Sequence, residues 1–255
     1  MIKLSKISKF YEKKEVVKDL SIEIEKGKIT AIVGENGAGK STVLSMIARF
    51  MKESHGQILL EGKQIRLIKD LEMAKKMAIL KQMNHTNVKL TIRELVELGR
   101  FPHSKGRLSA LDHEKVDQAL EYLTLHNIQH QYLDEISGGQ RQRAFIAMVV
   151  AQDTEYILLD EPLNNLDMRN SVNIMKILRK LCDEMGKTIV MVIHDINFAS
   201  AYSDNIVALR NGELVKAGSV EELMTDSWLR KIFGMNCNVQ DVGGNKVCVY
   251  YKSNC

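Results

Sequence analysis

Three short stretches carry residues whose types and spacing could do chemistry on a phosphate. Gly34-Glu35-Asn36-Gly37-Ala38-Gly39-Lys40-Ser41 fits the spacing G-x-x-x-x-G-K-[ST]. Glycines let a backbone curl so that successive N–H groups face phosphate oxygens, and a following helix lends the positive end of its dipole to the same anion. Lys40 could then reach the β- and γ-phosphates, and the Ser41 hydroxyl could ligate Mg2+. A glycine turn with no ligand has the same composition, but here a strand pattern enters and a helical pattern leaves, as the motif demands. The second stretch, Tyr156-Ile157-Leu158-Leu159-Asp160-Glu161, is an apolar run closed by two carboxylates. Asp160 could hold Mg2+ beside Ser41, and Glu161 could orient or deprotonate an attacking water; an acidic turn closing a strand is the plainer alternative. The third, Ser137-Gly138-Gly139-Gln140, puts a hydroxyl and two glycine N–H groups at the start of a helical pattern. That repeats the anion-holding logic, although without the glycine loop the N-capped helix after a glycine turn is the preferred reading.

These stretches need strands and helices to position them. Ile29 to Val33 is a continuous β-rich run ahead of the first glycine, and Leu20 to Glu25 alternates apolar and polar. Val43, Leu44, Ile47 and Phe50 recur at helical spacing over 41–51. From about Asn84 to Gln152 the patterns are helical: Thr91 and Glu94 form a capping box, 112–125 carries Val116, Ala119, Leu120 and Leu123 on one face, and 138–151 is a third helix. Strands return at 156–159 and 188–193, separated by a long amphipathic helix over 168–185 with Gly186 as its cap. Buried apolar strands alternating with helices imply a parallel sheet, here with a helical insertion. The tail from Cys237 to Tyr251 reads as a hairpin turning at Gly243-Gly244-Asn245.

Composition sets the limits. The chain has 255 residues, 45% hydrophobic and 27% charged, which excludes a disordered polymer and suffices for a sizeable core. A net charge of +4 is too mild to argue for nucleic acid. The longest uncharged apolar stretch, near Ala144 to Ala151, falls short of a membrane span of about 20 residues. The start, MIKLSKISKF, lacks the apolar core of a secretory signal, so a cytosolic location is expected. Cys182, Cys237, Cys248 and Cys255 form no zinc-type pair and read as reduced thiols. His126 and His130, four apart, read as a solvated face.

Ile136-Ser137-Gly138-Gly139-Gln140-Arg141-Gln142-Arg143 resembles the signature of ABC ATPases, with Ile136 where Leu is commoner. The resemblance covers about residues 2 to 235, with the family's motifs in their expected order. It implies an α/β fold with a P-loop (RecA-like) ABC ATPase core, an antiparallel β subdomain and an inserted α-helical subdomain. The whole of 1–255 would be one ABC ATPase domain: core 1–83 and 155–235, helical insertion with signature 84–154, and a C-terminal β extension 236–255. It implies ATP and Mg2+ as cofactors, held by Tyr11 against adenine, by Gly34, Asn36, Gly37, Ala38, Gly39, Lys40, Ser41 and Thr42 on the phosphates, and by Ser137, Gly138, Gly139 and Gln140 of a second copy. Ser41, Gln82 and Asp160 match the Mg2+ positions, Glu161, His194 and Gln82 the catalytic ones, and Asn165-Leu166-Asp167 the loop that couples two sites. Tyr11 could instead be a strand-end core tyrosine, and His194 a polar strand terminus. Departures are Leu163, where Thr or Ser is usual, and Asn164-Asn165 in place of a small pair.

Gly99-Arg100-Phe101-Pro102-His103 alone reads as a helix stop and a Pro-containing loop. After the helix from Thr91, it also resembles the importers of iron–siderophores, haem and cobalamin. Ser137 to Met148, Ala151-Gln152-Asp153-Thr154 and the short tail beyond Phe233 point the same way, most of all to ferric-siderophore ATPases of the catecholate type. The resemblance thus implies an ATPase subunit on the cytoplasmic face of the membrane, working as a homodimer beneath two transmembrane permease subunits and an extracytoplasmic substrate-binding protein. A haem or cobalamin importer, or a soluble non-transport ABC ATPase, are the alternatives.

Overall fold

The computed structural model describes residues 1–81, 89–164 and 166–250; Gln82, Asn165 and Cys255 lie outside the described residues. From the N-terminus come β1 (Ile2–Tyr11), β2 (Lys14–Ile24), β3 (Ile29–Val33), α1 (Lys40–Ile47), β4 (His55–Leu60) and β5 (Lys63–Gln64). There follow α2 (Asp70–Lys76), β6 (Met77–Leu80), α3 (Ile92–Leu98), α4 (Phe101–Ser104), α5 (Ala110–Tyr122), α6 (Gly138–Ala151), β7 (Tyr156–Asp160) and α7 (Met168–Met185). The chain then runs through β8 (Thr188–Val192), α8 (Ile196–Tyr202), β9 (Asn205–Arg210), β10 (Glu213–Ser219), α9 (Val220–Leu223), α10 (Asp226–Phe233), β11 (Asn238–Val242) and β12 (Asn245–Val249). It divides into two compact units, Met1–Ile68 with Thr188–Cys255, and Lys69–Lys187.

In the first unit β2, β1, β4 and β5 form an antiparallel sheet. β3 lies between β8 and β9, parallel to both, and β10 pairs antiparallel with β9. Every residue of β3 and β8 is buried, which is why their sequences are unbroken apolar runs rather than alternations. The β1 strand hides from pattern reading for a physical reason: its pairing with β2 slips register at three places, and Lys6 and Asp19 stand at positive φ. Such bulges break the two-residue period. Two hydroxyls replace ladder bonds there, Ser21 Oγ accepting from Lys6 N–H at 2.9 Å and Ser8 Oγ from Asp19 N–H at 2.9 Å. The terminal hairpin turns at Gly243-Gly244, both at positive φ, as a two-residue loop requires. Asn197 of α8 holds it, taking Cys248 N–H at 2.7 Å and donating to Cys248 C=O at 3.2 Å. Cys182, Cys237 and Cys248 are all buried. Burial and the neighbouring Cys237 push the Cys248 thiol up to about 12.

The second unit is the helical one, with β6 and β7 as a parallel pair. Three of its helices open on Ser or Thr caps: Thr91 for α3, Ser109 for α5 and Ser137 for α6, each in a reciprocal capping box. Helix ends depart from expectation where glycine is absent. α1 stops at Ile47, with Arg49 at φ 64 and the N–H groups of Arg49 and Phe50 turned back to Met46 and Ser45; Phe50 is therefore off the helix and exposed. α5 begins at Ala110 and ends at Tyr122, with Thr124 at φ 55 in the same kind of cap. His126 lies in a short 3-10 turn, so His126 and His130 do not share an α-helical face.

Candidate active site

In the first unit, the chain leaves β3 straight into the glycine loop. Gly34 stands at φ 144, and a Cβ there would lie 2.0 Å from the carbonyl oxygen of Leu209. Gly39, at φ 94, forms the left-handed N-cap of α1. Both conformations exclude ordinary side chains. Ala38 N–H closes the loop onto Glu35 C=O at 3.2 Å, while Asn36 and Gly37 are exposed at its rim. Lys40 is buried, and its Nζ donates to the carbonyls of Gly34 and Glu35, both at 2.9 Å. A cation is thus held at the mouth of a glycine cradle and the N-terminus of α1, where Ser41 and Thr42 form the first turn.

His194 follows β8 directly, and Ile193 N–H donates to Ile32 C=O at 3.2 Å. Since Ile32 pairs with Val192 in parallel, the glycine loop and His194 leave the same carboxyl edge of neighbouring strands, where open α/β sheets place their ligands. Asp195 caps α8 beside it, accepting from Asn197 N–H at 2.8 Å and Phe198 N–H at 3.1 Å. Tyr11 ends β1 with its ring exposed and its hydroxyl 3.0 Å from Met51 Sδ, so it is no core tyrosine.

In the second unit, Asp160 closes β7 and Glu161 stands in a left-handed conformation, φ 52. The turn from Glu161 closes through Asn164 N–H to Glu161 C=O at 3.2 Å, with Pro162 second. Asn164 Nδ2 also donates to Glu161 Oε2 at 2.6 Å. Ser137 caps α6: its Oγ accepts from Gln140 N–H at 3.3 Å, and Gln140 Oε1 accepts from Ser137 N–H at 2.9 Å. Gly138 and Gly139 differ. A Cβ on Gly139 would press on the Asn170 side chain, whereas one on Gly138 would meet nothing among the described residues. Asn170 in turn donates to Asp167, and Gln142 of α6 donates to Pro162 C=O at 2.9 Å. Residue type and spacing single out neither Gln142 nor Asn170, and mark Asn164 only as a departure from the usual small residue; its offset of three from Glu161 is the signal the sequence offers. Gln82 falls outside the described residues.

Arg100 has a packing role. It is buried, with Nε on Asp112 Oδ1 at 2.8 Å and Nη1 on Ala151 C=O at 2.8 Å. His103 meets Gln152 C=O at 3.0 Å; burial first and the Arg100 charge second push its imidazole below the usual value. Pro102 sits in the first turn of α4, so this stretch is a short helix rather than the expected loop.

Residues 17–164 match the model of the family described as ABC transporter. The chain belongs to the ABC transporter family. It is 54% identical to the petrobactin import ATP-binding protein YclP of Bacillus subtilis over 98% of this chain and 100% of that one. It is 48% identical to the petrobactin import ATP-binding protein FatE of Bacillus anthracis over 91% and 93%. Its fold matches an inward-facing ABC transporter described as of metal-chelate type, with TM-score 0.85, 24% identity and coverage of 97% and 96%. It also matches the dimeric cassette MJ0796, with TM-score 0.76, 31% identity and coverage of 86% and 99%. The fold is therefore the ABC ATPase cassette, mixed α/β with an antiparallel β subdomain, and the chain is an ABC-type ATPase. No helix of the described residues is long and apolar enough to cross a membrane.

Proposed function

We propose that this chain hydrolyses ATP to drive import of an iron–siderophore complex, as the peripheral subunit on the cytoplasmic face of a membrane transporter. The observation that carries the cargo assignment is the 54% identity, over nearly the full length of both chains, to the petrobactin import ATP-binding protein YclP. The glycine cradle around Lys40 carries the nucleotide assignment. Two copies pair, bear on two permease subunits, and receive cargo delivered by an extracytoplasmic binding protein. A cassette solved as a dimer shares this fold, which supports the pairing of two copies.

Each residue then has a task. The Tyr11 ring stacks on adenine, while the backbone of Gly34 to Gly39 and the first turn of α1, Lys40 to Thr42, hold the phosphates. Ser41, Asp160 and Gln82 are all oxygen donors, which suits Mg2+, an ion that takes few carboxylates and completes its shell with substrate phosphate and water. When bound, Mg2+ would draw charge from the β- and γ-phosphate oxygens. Glu161 aligns the attacking water, and His194 steadies the γ-phosphate. The open face of Gly138, with the Ser137 hydroxyl and the N-terminus of α6, approaches the γ-phosphate held by the other copy.

Deletion of this subunit, with uptake of labelled ferric siderophores, haem and cobalamin measured side by side, tests the cargo. Ferric siderophore uptake should fall at least tenfold with the others unchanged. Loss of haem or cobalamin uptake alone overturns the assignment, and unchanged uptake of all three returns the chain to a non-transport ATPase.

A further inference from the structure

We infer that Asn164 is a positioning residue for hydrolysis: its side-chain amide holds the Glu161 carboxylate in the orientation that attack on ATP requires. This rests on the reading of Glu161 as the group that aligns the water. The amide must present Nδ2 to Glu161 Oε2, because an ionised carboxylate only accepts; at 2.6 Å the bond is short and charge-assisted. The same residue closes the turn by its own N–H. Glu161 is thereby held at both ends, its carbonyl by the backbone of Asn164 and its carboxylate by the side chain.

The turn is itself fastened. Gln142 donates to Pro162 C=O at 2.9 Å, tying it to the helix that begins with Ser137. Proline at the second position restricts φ, and Glu161 stands in the left-handed region at φ 52. A glutamate side chain has three rotatable bonds. A fixed donor on one oxygen removes most of that freedom before substrate arrives, and a misplacement of about 1 Å can cost on the order of 10²-fold in rate. At this position the chain departs from the small residue usual in its family, and a small residue has no amide to offer.

The test is steady-state ATP turnover by the purified full-length chain, with ATP affinity measured separately. Asn164→Leu should lower kcat about tenfold or more, the scale of losing a hydrogen bond to a charged group, with KM and Kd for ATP within about twofold of the parent. Asn164→Ser, which keeps a donor on a shorter stem, should fall between the two. Asn164→Asp, which sets a second carboxylate against the first, should fall below Asn164→Leu. In a Glu161→Gln background, Asn164→Leu should leave the residual rate unchanged, since the two act as one unit. Parental kcat in Asn164→Leu, a raised KM at unchanged kcat, or an equal further loss on top of Glu161→Gln each overturns the inference while the reading of Glu161 stands. Parental turnover in Glu161→Gln alone overturns that reading, and the inference with it. Asn164 is exposed, so its substitution spares the core; should Asn164→Leu melt lower than the parent, Asn164→Ser carries the same comparison.

Discussion

Burying an ammonium is costly unless it is well hydrogen-bonded, and Lys40 is buried with its Nζ on two main-chain carbonyls. A triphosphate offers that cation a stronger partner. Lys40→Ala should therefore weaken ATP binding at least tenfold by calorimetry; unchanged affinity contradicts its assignment to the phosphates. Gly34 is constrained differently. Any Cβ there collides with the Leu209 carbonyl, main chain that cannot swing aside, and φ 144 is strained for any L side chain. Gly34→Ala should lower stability by about 2 kcal/mol or more in chemical denaturation, because the steric clash precedes any question of ligand. A parental midpoint would mean that the loop can yield at this point.

At the scale of elements, the described residues of the helical unit are held by caps and by the buried Arg100–Asp112 pair. Asp112 is bonded first by the backbone N–H of Ser109 and then by the Ser109 hydroxyl, and it is paired with Arg100. Burial works against these bonds, but together they hold its carboxyl down to about 2. A folded value below the unfolded one, about 3.9, contributes stability that is whole above that value and drains away as pH falls toward 2. Asp112→Asn should thus be less stable than the parent at pH 7, by about 2 kcal/mol, with the gap closing between about pH 4 and pH 2. Denaturant unfolding across that range checks it; a constant gap would mean that the charge of Asp112 contributes nothing. This pair gives Arg100 a packing task within the Gly99–His103 stretch. Glycine and proline mark a helix stop there, but nothing local marks a buried guanidinium joining α5 to the end of α6, since its partners lie 12 and 51 residues away.

At the scale of the molecule, a cassette of the same fold is a dimer, and the proposed site takes Ser137 and Gly138 from a second copy. If two copies close on two nucleotides, slowing hydrolysis should trap them. Glu161→Gln should bind ATP with parental affinity, lose at least a hundredfold in turnover, and elute as a dimer in ATP while the parent elutes as a monomer. A monomeric Glu161→Gln with ATP bound would remove the two-copy site.

The glycine loop, the apolar strands β3, β7 and β8, the capping box of α3, and helices α6 and α7 were all legible from residue types, because each rests on contacts within a few residues or on full burial of a run. The family itself was legible for the same reason: its motifs are short and local. What tertiary structure alone decided is different in kind. It set the bulges of β1, the left-handed ends at Arg49 and Thr124, the buried Arg100–Asp112 pair and the Asn164 clamp on Glu161. Each depends on where a side chain or backbone group meets a partner that no periodicity encodes, so composition and spacing could name the residues but not what they touch.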